Sequence, residues 1–91
     1  MAFIFQFSPE AMTAAQYDEC IARLSAVGAG APAGRLYHAS YGPPERLRVF
    51  DVWDSRESFE AFGATLMPIL QQLGVDPGNP DVAEVHGIIT G

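Results

Sequence analysis

Two stripes of apolar residues at helical spacing, set between four short strand-like runs, limit this chain to very few architectures. Tyr17, Cys20, Ile21, Leu24 and Val27 form the first stripe, spaced as the inward face of an α-helix requires. Thr13 and Gln16 stand ahead of it as a capping box, Met12 and Tyr17 as a hydrophobic staple, and Gly28 supplies the stop. Phe59, Phe62, Leu66, Ile69, Leu70 and Leu73 form the second stripe, which starts at Asp54 or Ser55, with Asp54 and Glu57 as a cap pair, and ends at Gly74. Pro68 falls inside it and predicts a kink or a break into two pieces near Met67.

The strand-like runs are residues 2–7, 35–41, 47–53 and 82–90. Phe3, Phe5 and Phe7 share one face of the first, with Ile4 and Gln6 on the other. Residues 42–46 (Gly-Pro-Pro-Glu-Arg) make a five-residue hairpin connection, so the second and third strands are antiparallel neighbours. The order βαββαβ is the ferredoxin-like split βαβ unit of the α+β class: a four-stranded antiparallel sheet with two helices on one face. With 91 residues the chain is one domain, 1–91, small enough to bury only about 60–65% of its unfolded surface.

Both faces of that sheet are apolar. Val49 and Trp53 point one way while Phe50 and Val52 point the other, and Ile4 opposes the three Phe. Two helices cover one face only. Four strands of about five residues at ~4.8 Å spacing leave roughly 300 Å² in plan, an apolar patch of the size that marks an interface. The simplest closure is a homodimer, sheet on sheet.

The rest of the composition excludes more than it assigns. Five basic residues, all Arg, stand against eleven acids for a net charge of −6, and no Lys occurs. Nucleic acid and an anionic membrane surface are therefore not expected partners. A single cysteine, Cys20, excludes an internal disulfide and a thiolate zinc site. The N-terminal apolar run is short and has no basic flank, and no stretch approaches a membrane span, so the chain reads as cytoplasmic.

The segment 47–62, Leu-Arg-Val-Phe-Asp-Val-Trp-Asp-Ser-Arg-Glu-Ser-Phe-Glu-Ala-Phe, resembles the signature of the dimeric α+β barrel superfamily, in its antibiotic biosynthesis monooxygenase (ABM)-like branch. There a strand ends in Trp, Ser or Asp caps the next helix, and an aromatic follows. Element order, length and the Gly-rich loop after the first helix extend the resemblance over nearly the whole chain. It implies a ferredoxin-like dimer and, in some members, cofactor-independent oxygenation of polycyclic phenols to quinones, or haem degradation. Trp53 matches the Trp that often lines the family's cleft. The second-helix His of haem-degrading members is absent, since Phe62 and Gly63 occupy that place. No cofactor is expected.

Several side chains can carry chemistry. Trp53 suits stacking on an aromatic ligand, and equally suits closing the sheet onto the second helix. His38 and His86, the only histidines, can act as a base toward a phenol or serve as hydrogen-bonded structural groups. A metal site at either lacks a third ligand nearby. With symmetric pairing about the hairpin, Tyr37 lies opposite Asp51 and Arg35 opposite Trp53, on one face; a one-residue change of register puts His38 in the place of Tyr37. An acid in an apolar strand must be satisfied, so Asp51 either orients a ligand or fixes register. Cys20, within the first stripe, reads as a buried inert thiol.

Two functions remain. One is an ABM-like protein whose cleft holds a hydrophobic, aromatic or polyketide-like small molecule, with Trp53, Phe59 and Phe62 around it, Tyr37, Arg35 and Asp51 orienting it, and His38 or His86 as base in a cofactor-independent monooxygenase. The other is a non-catalytic dimeric module whose cleft is filled by its own side chains.

Overall fold

A computed structural model describes all 91 residues, in the order β1 (Phe3–Phe7), α1 (Ala14–Ala26), β2 (Arg35–Tyr41), β3 (Arg48–Trp53), α2 (Arg56–Gln72) and β4 (Asp81–Glu84). The strands form a single antiparallel sheet in the order β2-β3-β1-β4, with α1 and α2 on one face: the expected ferredoxin-like α+β fold. No helix is long and apolar enough to cross a membrane.

Local chemistry accounts for the helix ends. At α1 the Gln16 amide donates to Thr13 Oγ1 at 3.1 Å, and the Thr13 amide donates to Gln16 Oε1 at 2.9 Å, so two amides without helical partners are satisfied reciprocally. Gly28 then takes a left-handed turn at φ +76°. At α2 the cap is Ser55, whose hydroxyl accepts from the Ser58 amide at 3.1 Å. Of the kink or break expected near Met67, the break does not occur: α2 runs uninterrupted from Arg56 to Gln72 with Pro68 inside it. Pro68 and Ala64 are both exposed, so the Ala64 carbonyl that loses its donor faces water.

The core lies between the helices and the sheet. Phe5 is buried and stacks on Phe59 with ring centroids 4.0 Å apart. Trp53, at 0% exposure, packs edge-on to Phe59 and tilted against Phe62. Cys20 and Leu24 of α1, Ile69 and Leu70 of α2, and Met12, Leu47 and Val75 from the connections complete the cluster. Each large side chain so buried contributes about 1.5–3 kcal/mol. On the opposite face stand Ile4, Val52, Phe50 and Tyr37, the last two edge to face at 5.8 Å, and no helix covers them.

The β2–β3 register departs from the symmetric expectation. Leu47, expected to open β3, turns into the core instead, and its amide donates to the Met12 carbonyl at 2.8 Å. Pairing therefore starts at Tyr41 with Arg48, which puts His38 opposite Asp51 and Tyr37 opposite Val52. A bulge between Arg35 and Tyr37 returns Arg35 to Trp53. β4 is shorter than the expected 82–90. Phe3 already pairs with Glu84, the Val85 amide takes the Ala2 carbonyl at 2.9 Å, and β1 offers no backbone to pair with anything beyond.

Candidate functional site

Helix α1 does not lie flush on the sheet. Between α1, α2 and the inner sheet face is a cavity of about 270 Å³, extended by the loop that carries Val75 and Pro77. Its walls are largely apolar, with Phe59, Phe62 and Leu66 from α2 facing Ile21 and Leu24 from α1. Four polar side chains interrupt them: Tyr17, Arg35, His38 and Asp51. An apolar cavity with a few converging polar groups is the usual form of a small-molecule site, and this one falls just below the ~300–1,000 Å³ common for drug-sized ligands.

Three of the four polar groups are joined. Asp51 is buried at 6% exposure. Its Oδ2 accepts from Trp53 Nε1 at 3.3 Å, and its Oδ1 bonds His38 Nδ1. His38 Nε2 meets the Tyr17 hydroxyl at 2.6 Å, the two rings lying parallel within 5°. The direction of each bond follows from donor inventory. An indole N–H only donates, so Asp51 serves as acceptor, and its second oxygen takes the Nδ1–H of His38. In the neutral imidazole Nε2 is then the free lone pair and accepts the Tyr17 proton. No buried side-chain N or O lacks a partner. A carboxylate that holds a histidine in one tautomer, with Nε2 directed at a hydroxyl, is the arrangement that makes imidazole an oriented base.

Arg35 stands two rungs from His38 along the sheet, about 7 Å away. Its Nη2 donates to the Gly30 carbonyl at 2.9 Å and its guanidinium lies 5.9 Å from the Phe62 ring centroid. Cys20 also lines the cavity; burial pushes its thiol up from the ordinary value of 9.0, with Arg23 acting weakly the other way.

Of the residues singled out in the sequence, the cavity thus brings together His38, Asp51, Arg35, Phe59 and Phe62. Three are placed elsewhere. Tyr37 is on the open sheet face at 59% exposure, because the one-residue register change gives its expected place to His38. Trp53 is not in the cavity wall. It is sealed beneath Phe59 and Phe62, where its N–H holds Asp51, so it supports the site rather than stacking on a ligand. His86 lies past the end of β4, exposed and outside the cavity. Helical spacing and the hydrophobic staple explain Tyr17 as an apolar contact and do not disclose its place in the site. The available signal was its hydroxyl, because a partly buried Tyr needs a polar partner.

No protein-family model and no curated protein matches the sequence. Solved structures do match over almost the full length. SnoaB from Streptomyces nogalater, a cofactor-independent oxygenase, superposes with a TM-score of 0.63 at 16% identity, covering 99% of this chain and 96% of that one. A candidate antibiotic biosynthesis monooxygenase from Deinococcus radiodurans gives 0.64 at 15% identity, covering 99% and 97%. Another from Chloroflexus aurantiacus gives 0.57 at 21% identity, with the same coverage. The chain has the fold of these monooxygenase-like structures.

Proposed function

We propose that the cavity binds a hydrophobic aromatic phenol and that His38, oriented by Asp51, receives its proton, as the first step of a cofactor-independent oxygenation. The observation that carries this is the single joined polar group, Tyr17–His38–Asp51, set in an otherwise apolar wall. Such a wall holds fused rings without specific contacts, while the polar group meets one hydroxyl. Arg35 supplies N–H donors to a carbonyl or second oxygen further along the ring system. The likeness to SnoaB supports the same chemistry.

The chemistry balances with dioxygen as co-substrate. For an anthrone-type ring, loss of the proton leaves an electron-rich carbanion, and its carbon forms a bond to dioxygen, which is reduced to the peroxide level. Breaking the O–O bond and the remaining C–H bond gives a ring carbonyl, with the second oxygen leaving as water. Imidazole is the group suited to hold the proton at neutral pH.

The uncovered sheet face supports a homodimer. Tyr37 is more than half exposed there, beside Phe50, and a solvent-facing apolar patch favours a partner. A second copy on this face leaves the cavity, on the opposite side, untouched.

The test uses dithranol, a hydroxylated anthrone, with oxygen uptake and quinone absorbance as readouts. Wild type is expected to consume one dioxygen per quinone, and His38→Ala to lose at least 100-fold in rate, as removal of a general base does. Binding without turnover in wild type would leave a non-catalytic binding module instead. Sedimentation at micromolar concentration is expected to give twice the chain mass, and Phe50→Asp to give the single chain.

A further inference from the structure

The polarity of the hydrogen-bond chain says more than which residue is the base. Asp51 has both oxygens occupied, by Trp53 Nε1 and His38 Nδ1. His38 Nε2 is occupied by Tyr17 at 2.6 Å. No atom of His38 is therefore left to accept a ligand hydroxyl directly. The end of the chain is the Tyr17 oxygen, whose only proton is committed to Nε2 and whose lone pairs have no partner in the protein. Tyr17 and His38 both line the cavity, from α1 and from the edge strand β2 respectively.

We infer that Tyr17 is the residue that touches the ligand, and that the ligand must be a hydroxyl donor whose proton reaches His38 only through the Tyr17 oxygen. This rests on the phenol-binding role proposed above and names the catalytic contact within it. In the step, the ligand O–H bond breaks and a new O–H bond forms at Tyr17. The original Tyr17 O–H bond breaks and its proton bonds to Nε2. The products are a bound phenolate and an imidazolium paired with Asp51; Tyr17 is unchanged. No oxidant or reductant enters this step.

The Tyr17 and His38 rings lie parallel within 5°, with the Tyr17 oxygen 2.6 Å from Nε2. A hydroxyl-bearing ring is thereby separated from an equally sized ring that lacks the donor. The methyl ether has nothing to give to Tyr17 and sets an oxygen against its lone pairs.

The probes are 2-naphthol and its methyl ether, 2-methoxynaphthalene, with binding followed by fluorescence and the naphtholate form by absorbance. Wild type is expected to bind the naphthol at least tenfold more tightly than the ether and to raise the naphtholate fraction above that in buffer. Tyr17→Phe, which removes one oxygen from a half-buried side chain, is expected to melt cooperatively, to bind both probes within about twofold of each other, and to lose the bound naphtholate. His38→Gln is expected to keep the preference for naphthol but lose the naphtholate. If Tyr17→Phe still ionises the bound naphthol as wild type does, His38 acts directly and the relay is wrong. If His38→Gln still ionises it, the base assignment itself fails. If wild type binds neither probe, the ligand-binding role falls, and the relay with it.

Discussion

Replacing Asp51 by Asn tests the hydrogen-bond chain at its root, because the exchange keeps shape and removes one acceptor. Trp53 Nε1 can only donate, so the Asn carbonyl must turn to it at the present 3.3 Å position. The Asn amide nitrogen then faces His38 Nδ1, which has to become an acceptor. The imidazole proton moves to Nε2, Nε2 donates to the Tyr17 oxygen, and the Tyr17 hydroxyl proton swings into the cavity. One substitution reverses both bonds beyond residue 51, while Trp53 goes on donating to it.

The magnitude follows from the bonds involved. Two hydrogen bonds to a charged carboxylate, about 1.5–3 kcal/mol each, become two neutral ones of about 0.5–1.5 kcal/mol each. The net destabilisation is about 2 kcal/mol, or roughly 8–16 °C in Tm for a domain of this size. Asp51→Ala should be worse, since two buried N–H groups lose their acceptor at about 1–3 kcal/mol each. Thermal melts by circular dichroism give the stability, and ¹⁵N chemical shifts of the imidazole report which nitrogen carries the proton. The expected result for Asp51→Asn is an Nε2–H tautomer, loss of naphthol preference, and at least a 100-fold loss of turnover with dithranol. Persistence of the Nδ1–H tautomer in that variant would refute the assigned bond directions.

Two further substitutions test the scaffold. Gly34 has φ +89°, and a Cβ there would lie 2.5 Å from Ser58 Cβ and 2.6 Å from Asp54 Oδ1. Gly34→Ala should thus cost about 2–5 kcal/mol by urea unfolding, combining left-handed strain with overpacking, whereas Gly28→Ala, in open space at φ +76°, should lose only the ~1–2 kcal/mol of strain. Burial holds the Cys20 thiol in its protonated form to higher pH in the folded chain than in the unfolded one. Above pH 9.0 the unfolded chain therefore carries fewer protons, and stability should fall as pH rises; iodoacetamide should alkylate Cys20 at least tenfold more slowly in the folded protein than in urea, and an equal rate would contradict its burial.

What could be read from the residues was whatever depends on local spacing. Thr13 and Gln16 announce their capping box because the bonds connect residues three apart. The Phe3, Phe5, Phe7 alternation places the inner face, and the fold follows from element order. The site was only half legible, since its geometry depends on which residues of different elements meet. Asp51 stood out because an acid in an apolar strand demands partners, but those partners could not be named from spacing. Tyr17 looked like one more apolar-stripe residue, since helical periodicity says that a side chain points inward and not what it finds there. Trp53 was visible as large and aromatic, and only the packing of Phe59 and Phe62 over it decides that it braces Asp51 from below.

The alternative between Tyr37 and His38, open in the sequence, turns on a single residue of register and leads to a last prediction. Leu47 carries strand character, yet the core and the Met12 carbonyl claim it, so β2 and β3 start pairing one residue later than symmetry suggests. In an unbroken alternation, residues 35 and 38 would face opposite sides, and Arg35 would leave the cavity. The bulge at Leu36 inserts the one residue that returns Arg35 to the His38 side. Leu36 itself is more than half exposed. Deleting it joins Arg35 to Tyr37 opposite Trp53 and Val52, a regular ladder that keeps both side chains on their present faces. A deletion inside a seven-residue strand ordinarily inverts everything on one side of it; this one should leave a folded protein whose His38 Nδ1–H signal and naphthol preference persist. Loss of either, in a variant that still melts cooperatively, would mean that Leu36 is not the extra residue and that another register holds His38 against Asp51.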